Sequence, residues 1–452
     1  MQKRWKRLLA VFLVSMLVLG ACGGRDDDDG DAAPSDDDAP ADTDDTGDTG
    51  DDGDDGDDGD EPPGDPEPGP GFDGETIRLG VLTPTSGTVA VIGDPLTAGN
   101  QAYVDYLNEE LGGIDGQYPV ELVVEDSAYD PTTAGQRYAA INDEVVAFLQ
   151  ILGTPVVNAL LPDLIEDNII AGPASLDSAW IREPNLMPIG GPYQVQAINA
   201  IDWYFSQPEN EDQVLCTLAS DDEYGDTGVA GVEFAAENLG IDVAVQAEYP
   251  APSATRPAQT FESQIGQLEG GDCEVIFFVA TPTDTAPLNT VLTENTDYNP
   301  MVLGQSPTWL GLFAGFEYLQ ENFILASEGT DYGDESVPGM AELVRIKDTY
   351  APEQEPDLYF NFGYLQGMAM HQILEEAVAR GDLSREGIMD AMENVGTLSF
   401  DGLFGDYVYG TADERQPPTS SSFFAPNPDS PMGLELVERD YEADYVGDFT
   451  FE

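Results

Sequence analysis

The sequence predicts an α/β protein of two doubly wound lobes with parallel sheets, and three observations carry that expectation. Short strands that are apolar throughout alternate with amphipathic helices, a pattern that needs a sheet covered on both faces. The alternation restarts after Pro192, so two halves of similar size lie end to end. Residues 75–452, a stretch of 378, exceed one ordinary core and suit two domains.

The first half opens with a strand from Ile77 to Leu82 and the loop Thr83 to Gly87. Asp94-Pro95 supplies an N-cap and first-turn proline. Leu96, Ala98, Ala102, Tyr103, Tyr106, Leu107 and Leu111 then recur at helical spacing, and Gly112-Gly113 ends that helix. Strands follow at Val120 to Val124, Val145 to Leu152 and Ile169 to Gly172, with helices at Pro131 to Asp143 and Val156 to Glu166. In the second half, helices are expected at Val195 to Phe205, Asp226 to Asn238, Phe261 to Leu268 and Ala286 to Leu292. Strands alternate with them at Val214 to Ala219, Val243 to Tyr249, Val275 to Ala280 and Pro300 to Gly304. Two further helices, Pro338 to Tyr350 and Asn361 to Arg380, precede a Gly- and Tyr-rich β-like tail from Leu398.

Ahead of these halves lies a different kind of chain. Lys3, Arg4, Lys6 and Arg7 form a basic start, and Leu8 to Leu19 are apolar. That run is too short to span a bilayer, which takes about 20 apolar residues, and it fits an export signal. Leu19-Gly20-Ala21-Cys22 resembles the lipobox of bacterial lipoproteins, which implies removal of residues 1–21 and acylation of Cys22. The alternative is an export signal cut elsewhere beside an incidental cysteine. Residues 22–74 hold Asp-Gly repeats and prolines with almost nothing to bury, so a disordered tether spanning roughly 40 Å or more is expected. Calcium binding by the repeats is disfavoured, because the apolar residues that let calcium-binding β-rolls stack are absent.

Charge excludes other classes of function. The chain carries 88 acidic and 15 basic residues, a net charge of −73. Residues 75–452 keep 65 of those acids and ten of the bases, a net charge of −55. Such a surface repels nucleic acid and anionic headgroups. Acid spread along the whole chain with hardly any lysine reads as a halophilic surface, since molar salt shortens the screening length to about 3 Å. Beyond Cys22, Cys216 and Cys273 stand in two runs read as buried strands. Outside the cytoplasm they form a disulfide candidate if the strands are neighbours, two buried thiols being the alternative.

Ligands of doubly wound sheets bind beyond the carboxyl ends of the strands, and with two lobes the cleft between them is the natural place. The loops expected to face it are Thr83 to Gly87, Gly153-Thr154-Pro155, Ala174-Ser175, Asp221 to Gly225, Thr281-Pro282-Thr283 and Gln305 to Trp309. They offer hydroxyls, amides, aromatic faces and helix N-termini, equipment for a small polar solute. His371, the single histidine, lies in a helix interior and reads as packing. No nucleophile–His arrangement, metal spacing or phosphate loop is present. An enzyme is not expected, nor any cofactor or metal.

Leu79-Gly80-Val81-Leu82-Thr83-Pro84-Thr85-Ser86-Gly87 resembles the opening strand and loop of the leucine/isoleucine/valine-binding type of periplasmic solute-binding proteins. Gly112 to Gly116, Glu125-Asp126 with Asp130-Pro131, and Tyr224-Gly225 fall where that family places its recurring segments. The resemblance spans roughly 76–445. It implies a type I periplasmic binding protein: two Rossmann-like lobes, 75–194 plus 325–398 and 195–324 plus 399–452, joined by three crossovers. It further implies a monomer that closes on a ligand such as an amino acid or amide and delivers it to ABC permease subunits.

Carried over by residue, Thr154 matches a hydroxyl that binds the ligand carboxylate. Ala174, Ser175 and Leu176 match a second carboxylate- and amine-binding loop, and Tyr224 an aromatic cover from the second lobe. Ser86, Thr281 and Ser306 complete the expected ligand-binding set, with Thr283 and Trp309 weaker candidates. Two departures stand out. Leu176 replaces a usual hydroxyl, and Gly304-Gln305-Ser306-Pro307 lacks the acid that would neutralise an α-ammonium, leaving Asp221, Asp222 or Glu223 as substitutes. A sensing lipoprotein that hands its bound form to a membrane receptor is the competing function. Cys22→Ser is expected to release the protein from the membrane fraction, since acyl chains are the hydrophobic attachment this sequence offers; fractionation checks it, and a retained variant would refute the anchor.

Overall fold

The computed structural model describes residues 64–253, 256–295 and 297–451. Residues 1–63, with the export signal, Cys22 and most of the expected tether, lie outside the described residues. Among those described, no helix is long and apolar enough to cross a membrane.

The first lobe is built on a parallel sheet of β1 (Ile77–Thr83), β2 (Val120–Asp126), β3 (Ala147–Leu152) and β4 (Ala171–Ala174), in the order β2-β1-β3-β4. Helices α1 (Ala90–Tyr106), α2 (Pro131–Ile141) and α3 (Thr154–Glu166) connect its strands. Leu79, Val81 and Leu149 face one core, while Leu82, Phe148 and Ile151 face another. Burial on both faces is why the central strands β1 and β3 are mostly apolar, whereas the edge strand β2 carries Glu121, Glu125 and Asp126.

The second lobe alternates α4 (Tyr193–Phe205), β5 (Leu215–Asp221), α5 (Glu223–Leu239), β6 (Val243–Pro250), α6 (Glu262–Gly270), β7 (Val275–Val279), α7 (Pro282–Glu294), β8 (Met301–Gln305), α8 (Glu317–Asn322) and β9 (Phe323–Ser327). The chain then returns to the first lobe as α9 (Met340–Tyr350), α10 (Leu358–Ala379), α11 (Arg385–Asn394) and a short hairpin, β10 (Thr397–Leu398) with β11 (Tyr407–Val408). A third crossing delivers β12 (Ser421–Pro426) and β13 (Leu434–Tyr441) to the second sheet, whose order is β13-β12-β9-β8-β7-β5-β6. Strands β5 to β9 are parallel, and β12 and β13 are antiparallel additions at one edge.

Several local expectations need correction. Asp94 does not cap α1, which begins at Ala90, and Pro95 sits inside the helix. The helix continues through it without the bond that an N–H there would make to the Val91 carbonyl. Strand β4 lies two residues later than read from sequence, at Ala171–Ala174. Order also begins before residue 75. Phe72 is buried in the first-lobe core, edge-on to Tyr118 at 5.4 Å, and its backbone bridges Ile77. The tail divides as well: Leu398, Phe400, Leu403, Tyr407 and Tyr409 lie in the first-lobe core, and only β12 and β13 join the second sheet.

The returning helix α10 is held against α1 by a close crossing. A side chain at Gly99 would strike the Phe360 carbonyl, and one at Gly363 the Leu96 carbonyl. Asn100 Nδ2 donates to the Gly363 carbonyl at 2.8 Å across the same contact.

In the second lobe β5 pairs with β7, and Cys216 is bonded to Cys273 at the entry to β7. The bridge closes a separation of 57 residues, worth about 4 kcal/mol of denatured-state entropy on the chain-closure estimate. The double variant Cys216→Ala, Cys273→Ala is expected to lower the unfolding free energy by up to that amount. Denaturant titration checks it, and an unchanged midpoint would refute the contribution.

Candidate functional site

The carboxyl ends of β3, β4, β5, β7 and β8 meet a cavity between the lobes that is partly open to solvent. Thr154, Ala174, Ser175 and Leu176 line it from the first lobe; Tyr224, Thr281 and Ser306 line it from the second. Ser86 does not line the cavity. It stands exposed in a loop drawn toward Asp126, whose carboxylate accepts the Thr85 N–H at 3.0 Å. Trp309 is absorbed by the second-lobe core, where its Nε1 donates to the Met432 carbonyl at 3.1 Å.

Thr154 and Ser175 form the polar pole. Their hydroxyl oxygens are 2.6 Å apart, and Trp180 Nε1 donates to Ser175 Oγ at 3.1 Å. Two hydroxyl protons serve one mutual bond, so the pair retains a proton to donate elsewhere. Thr154 is also the first residue of α3, whose N-terminus has no side-chain cap. Pro155 has no N–H, and those of Val156 and Val157 bond the Gly153 carbonyl, so the Thr154 N–H and the helix dipole are what favour negative charge there.

The second-lobe residues are more committed. Tyr224 donates its hydroxyl toward the Ala280 and Ser306 carbonyls, both at 3.2 Å, and sets its ring edge-on to Tyr193 at 5.1 Å. Thr281 bonds Thr283 at 2.7 Å beside the buried ion pair Arg256–Asp284. Ser306 bonds Ser327 at 2.7 Å, while its N–H donates to Gln196 Oε1 at 3.0 Å. Tyr359, at the start of α10, donates to the Pro307 and Trp309 carbonyls and so ties the returning helix to the second lobe.

Among the described residues no lysine, arginine or histidine lines the cavity, and Glu328 is its single carboxyl. The substitutes considered for an ammonium partner lie outside the lining. Asp222 caps α5, accepting from Gly225 N at 3.0 Å and Ser220 Oγ at 2.6 Å. Gln305 is buried and aims its amide toward Thr227. His371 sits elsewhere in the first lobe, between the Tyr103 hydroxyl and Glu375. Among the described residues no group of His, Cys, Asp and Glu is placed to hold a metal ion.

Glu328 was not legible as a site residue, because it follows β9 in the second crossover, a strand the sequence reading did not contain. The carboxyl packs where the three crossovers meet: a Cβ at Gly190 would lie 2.6 Å from its Oε2, and one at Gly191 3.3 Å from both its Oε1 and the Pro418 carbonyl. Tyr129, Tyr193, Gln196, Tyr359 and Phe362 also line the cavity and went unnoticed. For Tyr129 and Tyr193 a signal existed, since each adjoins a helix start marked by Asp130-Pro131 or Pro192.

Burial pushes the Glu328 carboxyl up to about 8, against about 4.3 in an unfolded chain. The folded state therefore holds a proton that the unfolded state has lost, and this group's contribution to stability falls as pH rises between those values. Relative to the native protein, Glu328→Gln is expected to gain melting temperature progressively from about pH 5 to about pH 8. A difference constant across that window in thermal melts would refute a buried neutral acid.

The chain matches the periplasmic binding protein family over residues 76–426. No curated protein sequence matches it significantly. Among solved structures it resembles a fatty acid ABC transporter substrate-binding protein from Thermomonospora curvata, at 24% identity and TM-score 0.77 over 85% of this chain and 97% of the other. It also resembles a possible leucine/isoleucine/valine-binding protein from Rhodopirellula baltica, at 19% identity and TM-score 0.69 over 82% and 98% of the two chains. A branched-chain amino acid ABC transporter protein from Thermus thermophilus with bound valine is similar at 16% identity and TM-score 0.68, over 83% and 99%. With its bilobed fold, its cleft and a family match over most of its length, the chain belongs to the periplasmic binding protein family.

Proposed function

We propose that this protein is an extracytoplasmic lipoprotein, anchored through Cys22, that captures a solute with a single anionic or carbonyl head group and hands it to an ABC permease. The observation that carries the reading is the Thr154–Ser175 hydroxyl pair at the uncapped start of α3, in a cavity with no basic side chain. Such a site can hold a carboxylate or amide oxygen by hydrogen bonds and helix dipole alone. The valine and fatty acid named for two structures of similar fold share a carboxylate, which supports the same head group here.

Ala174, Leu176, Thr281 and Ser306 serve as walls around that group, and Tyr224 presents its ring from the second lobe. Because the Tyr224 hydroxyl is spent on main-chain carbonyls, its part is shape rather than hydrogen bonding. The protein works as a monomer on a tether. Its acidic exterior suits high salt, where the self-repulsion of a strongly charged surface is screened.

Calorimetry with carboxylates and amides is expected to find one site per molecule and no turnover. Thr154→Val should weaken the tightest of them by about 1–3 kcal/mol, the cost of leaving a buried partner unpaired. Unchanged affinity in that variant would move the head group elsewhere.

A further inference from the structure

We propose that the cavity continues from its head-group site into an apolar arm built for an unbranched hydrocarbon chain, so that the solute is an amphiphilic monocarboxylate. The inference rests on the head-group reading above and adds the chemistry of the remainder of the ligand.

The wall supplied by α10 has length. Leu358, Phe362 and Leu365 all line the cavity, and their spacing of four and then three places them in one stripe along a single helix face. Seven residues of helix extend that stripe over about 10 Å. Facing elements continue it: Met340 and Leu343 on α9, and Leu403 and Phe404 in the turn between β10 and β11, also line the cavity. Met340, Leu343, Leu365 and Leu403 belong to the first-lobe core, with Phe362 and Phe404 packed against it. The space therefore runs away from the strand ends, into the seam between α9, α10 and the returning tail. A ligand confined to the strand ends would not reach the apolar side chains of that seam and would forgo their dispersion contacts.

Charge argues in the same direction. A zwitterion brings an ammonium that needs a buried acid, and an unpaired buried ammonium is costly. The single carboxyl of the lining, Glu328, is packed beside Gly190 and Gly191 of the first crossover. A hydrocarbon chain needs no partner charge at all.

The test is a titration of the full chain, stripped of bound lipid, with straight-chain monocarboxylates from butanoate to hexadecanoate. Affinity should rise roughly fourfold per added methylene, the transfer free energy of one buried CH₂, and then level off where the arm is full. Leu343→Trp, which fills the arm, should abolish the gain with chain length; Phe404→Ala, at a half-buried position, should move the plateau to longer chains. The series on the unaltered protein decides the matter should either variant fail to fold. A flat series, with butanoate held as tightly as hexadecanoate, would overturn the arm and leave the head-group reading intact. Leucine or valine bound more tightly than every monocarboxylate would overturn the ligand class. If no carboxylate of any length bound, the head-group reading itself would fall with it.

Discussion

The crossing of α1 and α10 is the contact on which the rest of the site depends. Gly99 and Gly363 let the two backbones approach so closely that any side chain would collide with a facing carbonyl, and Asn100 fixes the register by donating to Gly363. These helices are separated in sequence by the rest of the first sheet and by α4 to β9 of the second lobe. Their contact forces the chain to return after β9, which creates the second and third crossovers and with them the cleft. It also sets the start of α10 at the cleft, where Tyr359 reaches the Pro307 and Trp309 carbonyls of the opposite lobe. Loosening that crossing would free α10 to drift and remove one wall of the cavity.

Charge is divided between exterior and interior with unusual economy. Residues 75–452 contain ten basic side chains, and several act as staples on the backbone. Arg415, 1% exposed, donates to the Glu183 and Leu186 carbonyls. Arg182 donates to the Ala412 and Arg415 carbonyls, and Arg385 to that of Asp167. Arg256 is spent on the buried Asp284. Guanidinium groups fit such roles because their planar fork satisfies several acceptors and stays charged when buried. Among the described residues the cavity is left without a basic side chain, so the anionic head proposed above would be met by hydroxyls and a helix end. A site of that kind adds no permanent charge to an interior already hard to keep neutral.

Glu328 is the one carboxyl among the described residues of the lining, at the point where the crossovers meet. It lies among all three crossovers, buried, with an oxygen that lacks a hydrogen-bond partner. Burial keeps its proton on at neutral pH. A neutral acid there is compatible with an anionic ligand in the same cavity, whereas a carboxylate would repel it.

The sequence by itself determined the periodic part of this protein: strands buried on both faces, the restart after Pro192, helix starts such as Asp130-Pro131, and the Cys216–Cys273 pairing as a candidate. These are local signals, since apolar runs and caps report on each residue's immediate environment. Loops after β3, β4, β5, β7 and β8 could be nominated because strand ends in such sheets converge by topology, which is why Thr154, Ser175, Tyr224, Thr281 and Ser306 line one cavity. Only the tertiary structure decided the rest. Strand β9, the split of the tail between lobes, the exclusion of Ser86, and the wall made by Met340, Leu343, Phe362, Leu365, Leu403 and Phe404 depend on segments far apart in sequence. An apolar side chain looks the same in a sequence whether it packs against protein or faces a ligand. The difference lies in whether another segment arrives to fill the space, and that is settled by packing between distant parts of the chain.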